Sequence, residues 1–154
     1  MAGSVTYYEG NYLAQTAVGS SGQILQSNGA SAPSWVAASS SFAWNTISAT
    51  PQALSSQNGY IIEDNTPGAE TILTLPSSPT VGDTIKIMNF NSSGWQINQA
   101  AGEMIFVGNI ATVAGTSHGI IAADIGTSIT LVCIATAPGI WAADGSPQGN
   151  IGFY

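Results

Sequence analysis

His118 is the only histidine in the chain, and it lies in Gly115-Thr116-Ser117-His118-Gly119. That spacing matches the Gly-x-Ser-x-Gly turn that exposes a nucleophilic serine in hydrolases. Such a serine needs a histidine base from farther along the chain and a carboxylate to orient it. No histidine follows Ser117 except its neighbour His118. The turn also needs a helix after it, whereas Ile120-Ile121-Ala122 reads as a strand. The segment is therefore read as a loop whose histidine makes local hydrogen bonds.

The eight carboxylates offer two further chemistries. Glycoside hydrolysis needs two acids facing one cleft, roughly 5–10 Å apart. Glu63-Asp64 is the only adjacent pair, and neighbours on a strand point to opposite faces. Asp83, Glu103 and Asp124 are far apart, and no pattern joins them. Calcium takes six to eight oxygens. Asp64-Asn65 and Asp144-Gly145-Ser146 lack a calcium-loop pattern and read as side-chain-stabilised turns. Cys133 is the single cysteine, so an intrachain disulfide and a cysteine-based zinc site are excluded. It falls in the apolar run Ile129-Thr130-Leu131-Val132-Cys133-Ile134 and is expected to be a buried, inert thiol. No glycine-rich phosphate loop is present. The residues thus assign no catalytic group, no metal and no cofactor.

The aromatic residues point to binding instead. Trp35, Trp44, Trp95 and Trp141 could stack on sugar rings where exposed, although in a chain so short of charge core or interface positions are expected for them. Tyr7, Tyr8 and Tyr12 are better placed for docking, because aromatics are enriched at interfaces. The other reading has these tyrosines packing on their own domain. Both faces of the Ile129–Ile134 run are apolar, which implies cover on both sides. The docking candidates are therefore Tyr7, Tyr8, Tyr12, Trp35 and Val132.

Composition narrows the partners. Charged residues are 6% of the chain, against about 25% in typical soluble proteins. Lys86 is the only cation, and the net charge is −7. One lysine cannot neutralise a nucleic-acid backbone or hold an anionic lipid surface. So low a charge suits either a surface buried between subunits or a neutral, Ser/Thr-rich extracellular surface. Apolar runs stop well short of the roughly 18 residues a membrane span needs. The N-terminus lacks a basic start followed by an apolar stretch, so synthesis in the cytoplasm without membrane insertion is expected.

Helix formers with charged faces are missing, and short β-prone runs recur between turn residues. Residues 1–45 read as an extended N-terminal arm. It contains the β-prone Val5-Thr6-Tyr7-Tyr8, a tight turn at Asn28-Gly29 and a small-residue joint at Ala37-Ala38-Ser39-Ser40-Ser41. Residues 46–154 read as one β domain, an antiparallel sandwich or a barrel-like fold. Strands are expected near Ala43–Ile47, Tyr60–Glu63, Thr71–Leu75, Thr84–Phe90, Trp95–Asn98, Met104–Val107, Gly119–Ala122, Ser128–Ala135, Ile140–Ala143 and Asn150–Phe153. Turns are expected at Asn58-Gly59, Pro67-Gly68, Val81-Gly82-Asp83, Ser93-Gly94, Pro138-Gly139 and Asp144-Gly145. Echoes such as Ser20-Ser21-Gly22 and Ser92-Ser93-Gly94 are too loose to define a solenoid.

The stretch Gly19-Ser20-Ser21-Gly22-Gln23-Ile24-Leu25-Gln26-Ser27-Asn28-Gly29, followed by Ala32-Pro33-Ser34-Trp35, resembles a connector motif of bacteriophage tail-fibre proteins. Leu73-Thr74-Leu75-Pro76, Val81-Gly82-Asp83-Thr84-Ile85, Gly94-Trp95-Gln96-Ile97, Ala101-Gly102, Leu131-Val132-Cys133, Trp141 and Gln148-Gly149-Asn150-Ile151 extend the resemblance to a β-rich domain of phage tail-fibre and receptor-binding proteins. It covers roughly residues 19–151. The resemblance implies a virion location, homotrimeric assembly and a role in host attachment, and it carries over no catalytic residue. Fibre chains are often longer; if this one is a complete short virion protein rather than part of a longer fibre, it needs its own docking element, for which residues 1–45 are the candidate. The expected partners are sister chains, other virion proteins reached through the arm, and a host-surface glycan or protein. Two other readings stay open: a capsid or baseplate decoration protein with a mechanical role, and a hydrolase of surface polysaccharide.

Overall fold

A computed structural model describes residues 4–38, 42–63, 69–90 and 93–154. The expected turn at Pro67-Gly68, Asp64 of both acid motifs, and Ser39–Ser41 of the joint lie outside these residues. The chain forms two compact units, Met1–Ser40 and Ser41–Tyr154. All regular structure among the described residues is β.

The first unit consists of two hairpins. β1 (Thr6–Glu9) pairs antiparallel with β2 (Tyr12–Gln15), and β3 (Gln23–Asn28) pairs antiparallel with β4 (Ser31–Ala37). Gly29, at a positive φ of 69°, starts the β3–β4 turn, and Asn28 Nδ2 donates to the Ala32 carbonyl at 2.7 Å. Trp35 folds onto the segment before β3. A Cβ on Gly19 would lie 2.5 Å from its ring, and Trp35 Nε1 donates to the Ala17 carbonyl at 2.8 Å. This contact accounts for the glycine at position 19, sixteen residues before Trp35.

The second unit contains β5 (Ala43–Ile47), β6 (Gln52–Ala53), β7 (Asn58–Ile62), β8 (Thr71–Thr74), β9 (Thr84–Asn89) and β10 (Trp95–Asn98). It continues with β11 (Met104–Val107), β12 (Ile110–Ala111), β13 (Gly119–Ala122), β14 (Ser128–Thr136), β15 (Gly139–Ala143) and β16 (Gly152–Phe153). Two sheets share one core. Their strand orders are β12-β11-β15-β14-β9-β7-β5 and β16-β13-β10-β8-β6.

The sheets are mixed, which corrects the antiparallel expectation. From β5 to β10 the chain alternates between the two sheets, so each strand meets the strand two positions on in parallel. A strand of the opposite sheet thus does the job that a helix does in most parallel crossovers. The winding is coil-like although the sequence shows no repeat, because the connecting turns differ in length and composition. Antiparallel pairing returns at β9–β14–β15 and β10–β13–β16.

Alternation places the core. In β9, Ile85 and Ile87 are buried while Lys86 and Met88 are exposed. Leu73, Ile97 and Ile120 form one fully buried row across β8, β10 and β13. Each such side chain contributes roughly 1.5–3 kcal/mol by leaving water. Trp95 and Trp141 are fully buried, and Trp95 Nε1 donates to Thr127 Oγ1 at 3.0 Å.

β14 carries Ile129, Leu131 and Cys133 on the core face. On the other face Thr130 and Val132 are half-buried, and Ile134, beside the bulge between Cys133 and Ala135, is exposed. The expected turn at Asn58-Gly59 is also corrected: both residues lie inside β7, and Gly59 serves a contact described below.

Candidate functional site

The first unit presents the docking candidates on a surface with no core of its own. None of its described residues is buried. Tyr8 is 78% exposed, Tyr12 and Leu13 are also exposed, and Tyr8 lies opposite Leu13 across the β1–β2 hairpin. Ile24, Leu25 and Val18 extend the apolar exposure within the unit. Tyr7 is half-buried, and its hydroxyl donates to Glu9 Oε2 at 3.5 Å. Burial first, then the Glu9 charge, pushes the Tyr7 phenol above its ordinary range. Tyr7 and Tyr8 line a cleft of about 310 Å³ with Ser27, Ser31 and Pro33. Trp35 is half-buried against Gly19, so it acts as a lock inside the unit. Val132 belongs to the second unit, on the outer face of β14.

The outer face of the seven-stranded sheet carries a constellation around Trp44, one of the four tryptophans weighed for sugar stacking, which is exposed here rather than in the core; its neighbours were not singled out. Trp44, Gly59, Lys86 and Thr130 form one row across β5, β7, β9 and β14. A Cβ at Gly59 would meet Trp44 Cδ2 at 2.6 Å and Cζ3 at 2.7 Å, so the ring lies flat over the glycine. One face of the indole is thereby occupied and the other is open, leaving Trp44 50% exposed. Phe42 meets Trp44 edge-on, with centroids 5.9 Å apart and planes at 75°. Lys86 Nζ sits 5.3 Å from the Phe42 centroid, within cation–π range. Trp44, Lys86, Met88, Thr130, Asp144 and Ser146 line a cleft of about 270 Å³. Two signals could have found it: Lys86 is the only cation, and Phe42 and Trp44 are two aromatics two residues apart at the start of β5.

A second cleft of about 360 Å³ lies where β5 and β6 approach, lined by Asn45, Thr46, Gln52, Ser55 and Asn58. It offers amides and hydroxyls but no charge.

A buried polar cluster lies beneath β15. Glu103 is 2% exposed, and burial raises its carboxyl above the ordinary range against the lowering influence of the Ala100 N–H and Trp141. Its Oε2 accepts from Ala100 N at 3.1 Å. Its Oε1 and the Trp141 Nε1 make no hydrogen bond of normal geometry. Gly139 admits the carboxyl, since a Cβ there would lie 2.6 Å from Oε1. Gln99 stitches the region together. Its Nε2 donates to the Glu103 and Val113 carbonyls, each at 2.6 Å, and Thr112 Oγ1 donates to its Oε1 at 2.6 Å.

The remaining candidates have local structural roles. His118 is followed by strand β13 rather than a helix, so the elbow geometry is not formed. The expected local hydrogen bonding is corrected too: among the described residues its buried Nδ1 has no partner, and only its carbonyl accepts, from Gln99 N at 3.4 Å. Asp83 Oδ2 accepts from Ser56 Oγ at 2.7 Å and Thr80 N at 2.8 Å, closing a turn. The Asp124 carbonyl accepts from Asn89 Nδ2 and Thr127 Oγ1, each at 2.9 Å. Asp144 begins the turn after β15 and its backbone N donates to the Thr130 carbonyl at 2.9 Å. Among the described residues no three of His, Cys, Asp or Glu gather as a metal set. No protein-family model matches the chain, and no curated protein matches it.

Proposed function

We propose that the chain is a non-catalytic structural module of a virion appendage, a tail-fibre or receptor-binding element that associates as a homotrimer. Residues of the first unit act as the docking arm, toward sister chains or neighbouring virion proteins. The second unit presents its loops and outer sheet face to the host surface. Several copies acting together supply the avidity.

One observation carries this reading: no described residue of the first unit is buried, yet Tyr8, Tyr12, Leu13, Val18 and Ile24 are apolar and exposed. Isolated two-stranded hairpins are marginal in water. An apolar face of this kind gains its cover by association. The scarcity of charge supports the same reading, because few charges must be desolvated when copies meet.

Light scattering tests it. Three copies of the 15.6 kDa chain give about 47 kDa. A monodisperse monomer at micromolar concentration overturns the trimer. Purified protein is expected to block virion adsorption to host cells. If it binds the particle but leaves adsorption unchanged, the mechanical role of a decoration protein replaces the attachment role.

A further inference from the structure

We infer that the Trp44–Lys86 cleft is a binding site for a pyranose ring that carries a carboxylate, of the uronic-acid or nonulosonic-acid kind. This assignment rests on the attachment reading and gives it a ligand chemistry.

Three features of the cleft converge. The first is a flat aromatic platform. Trp44 is held by Gly59 beneath and by the Phe42 edge beside it, with its outer face open. The apolar face of a pyranose stacks on such a ring, and the fixed indole loses little freedom on binding. The second is the charge. Lys86 is the only cation in a chain of net charge −7, and its Nζ sits 5.3 Å from the Phe42 ring centroid at the cleft. Its ammonium lines the same cleft as the open indole face, where a ligand anion stacked on Trp44 would reach it. The third is the polar rim. Thr130 and Ser146 offer hydroxyls, and Asp144 offers a carboxylate that accepts from sugar hydroxyls.

The charges also decide the ligand class. A neutral sugar would use Trp44 and the rim but leave the ammonium unpaired. A polyanion of dense charge would bring more negative groups than one lysine can pair and would meet the Asp144 carboxylate as well as the net charge of −7. A saccharide with one carboxylate per ring places that group on Lys86 and its hydroxyls toward Asp144. The amide-lined cleft at β5 and β6 has no such discriminating group.

The test uses the full-length protein with methyl β-D-glucuronide, the methyl glycoside of N-acetylneuraminic acid, and methyl β-D-glucoside. Binding is followed by NMR shifts of the tryptophan indole N–H groups. Expected dissociation constants for single sugars are about 1 mM. At least one acidic sugar is expected to bind about tenfold more tightly than the glucoside. Lys86→Gln should erase that preference, Lys86→Arg should retain it, and Trp44→Ala should abolish binding of all three. Added salt should weaken only the acidic sugars.

Affinity for both acidic sugars no greater than for the glucoside, or an acid preference that survives Lys86→Gln, overturns the assignment. So does a fall in oligomeric mass on Trp44→Ala, which would make this face a subunit contact. No sugar binding with the trimer mass intact defeats the site alone. A monomeric wild type that binds the acidic sugar defeats the trimer and leaves the site standing.

Discussion

Trp44 occupies the space that a side chain at Gly59 would need. The two residues are register partners on the parallel strands β5 and β7. Gly59 is therefore chosen for what lies above it rather than for backbone freedom. Gly59→Ala should lift the indole from the sheet and loosen β5 at its edge. The expected cost is about 1–3 kcal/mol, as for other overpacked sites. Urea unfolding measures the loss, and acrylamide quenching should rise as the ring becomes mobile. Unchanged stability together with unchanged quenching would show that the ring does not sit on Gly59.

Glu103 should impose a pH dependence on stability. Its folded pKa is raised by burial, so between its unfolded and folded values the native state holds the extra proton. Stability from this group is greatest below the unfolded pKa, near 4.5, and is lost as pH rises through the higher folded value. Melting temperature should fall across that window, by about 2–4 °C for each kcal/mol lost. Glu103→Leu should flatten this part of the profile, whatever constant offset it adds. A profile of the same slope in the variant would clear Glu103 of the effect.

Much of the second unit was legible because strand alternation is a local signal. Trp95–Asn98, Met104–Val107 and Gly119–Ala122 fall where apolar and turn residues place them. Strand direction was not legible. Ile85 and Ile87 face inward whether the neighbour runs parallel or antiparallel, so the coil-like alternation between sheets left no mark on the pattern. Asn58-Gly59 was misread as a turn because the steric demand on Gly59 comes from Trp44, fifteen residues earlier. The two-residue strands β6 and β12 are too short to carry a pattern. The Glu103 cluster depends on Gly139 admitting a carboxyl across the fold, a contact no local spacing encodes.

Cys133 should be nearly inert in the native state. It is buried on the core face of β14, and its Sγ donates to the Ala135 carbonyl at 3.1 Å. Burial, with smaller influences from Asp83 and Glu103, raises its pKa, so the reactive thiolate is scarce at neutral pH. Labelling by a thiol reagent at pH 8 should be at least about a hundredfold slower than in urea. Rapid native labelling would mean that β14 opens far more readily than a central strand should.

The exposed apolar residues of the first unit allow assembly to be separated from folding. Leu13 lies on β2 and Ile24 on β3, and both side chains are exposed within the chain. A charge at either position is therefore tolerated by an isolated protomer, within about 0.5 kcal/mol. The same charge buried between copies loses its water without gaining a partner, a cost of several kcal/mol. Threefold association repeats that cost at every copy. Leu13→Asp and Ile24→Asp should therefore shift the mass from about 47 kDa to 15.6 kDa while the melting of the second unit stays in place. Tyr8→Ser, which removes area without adding charge, should weaken association less. If both aspartate variants keep the trimer mass, these hairpin faces are not what joins the copies, and the arm loses its assigned role.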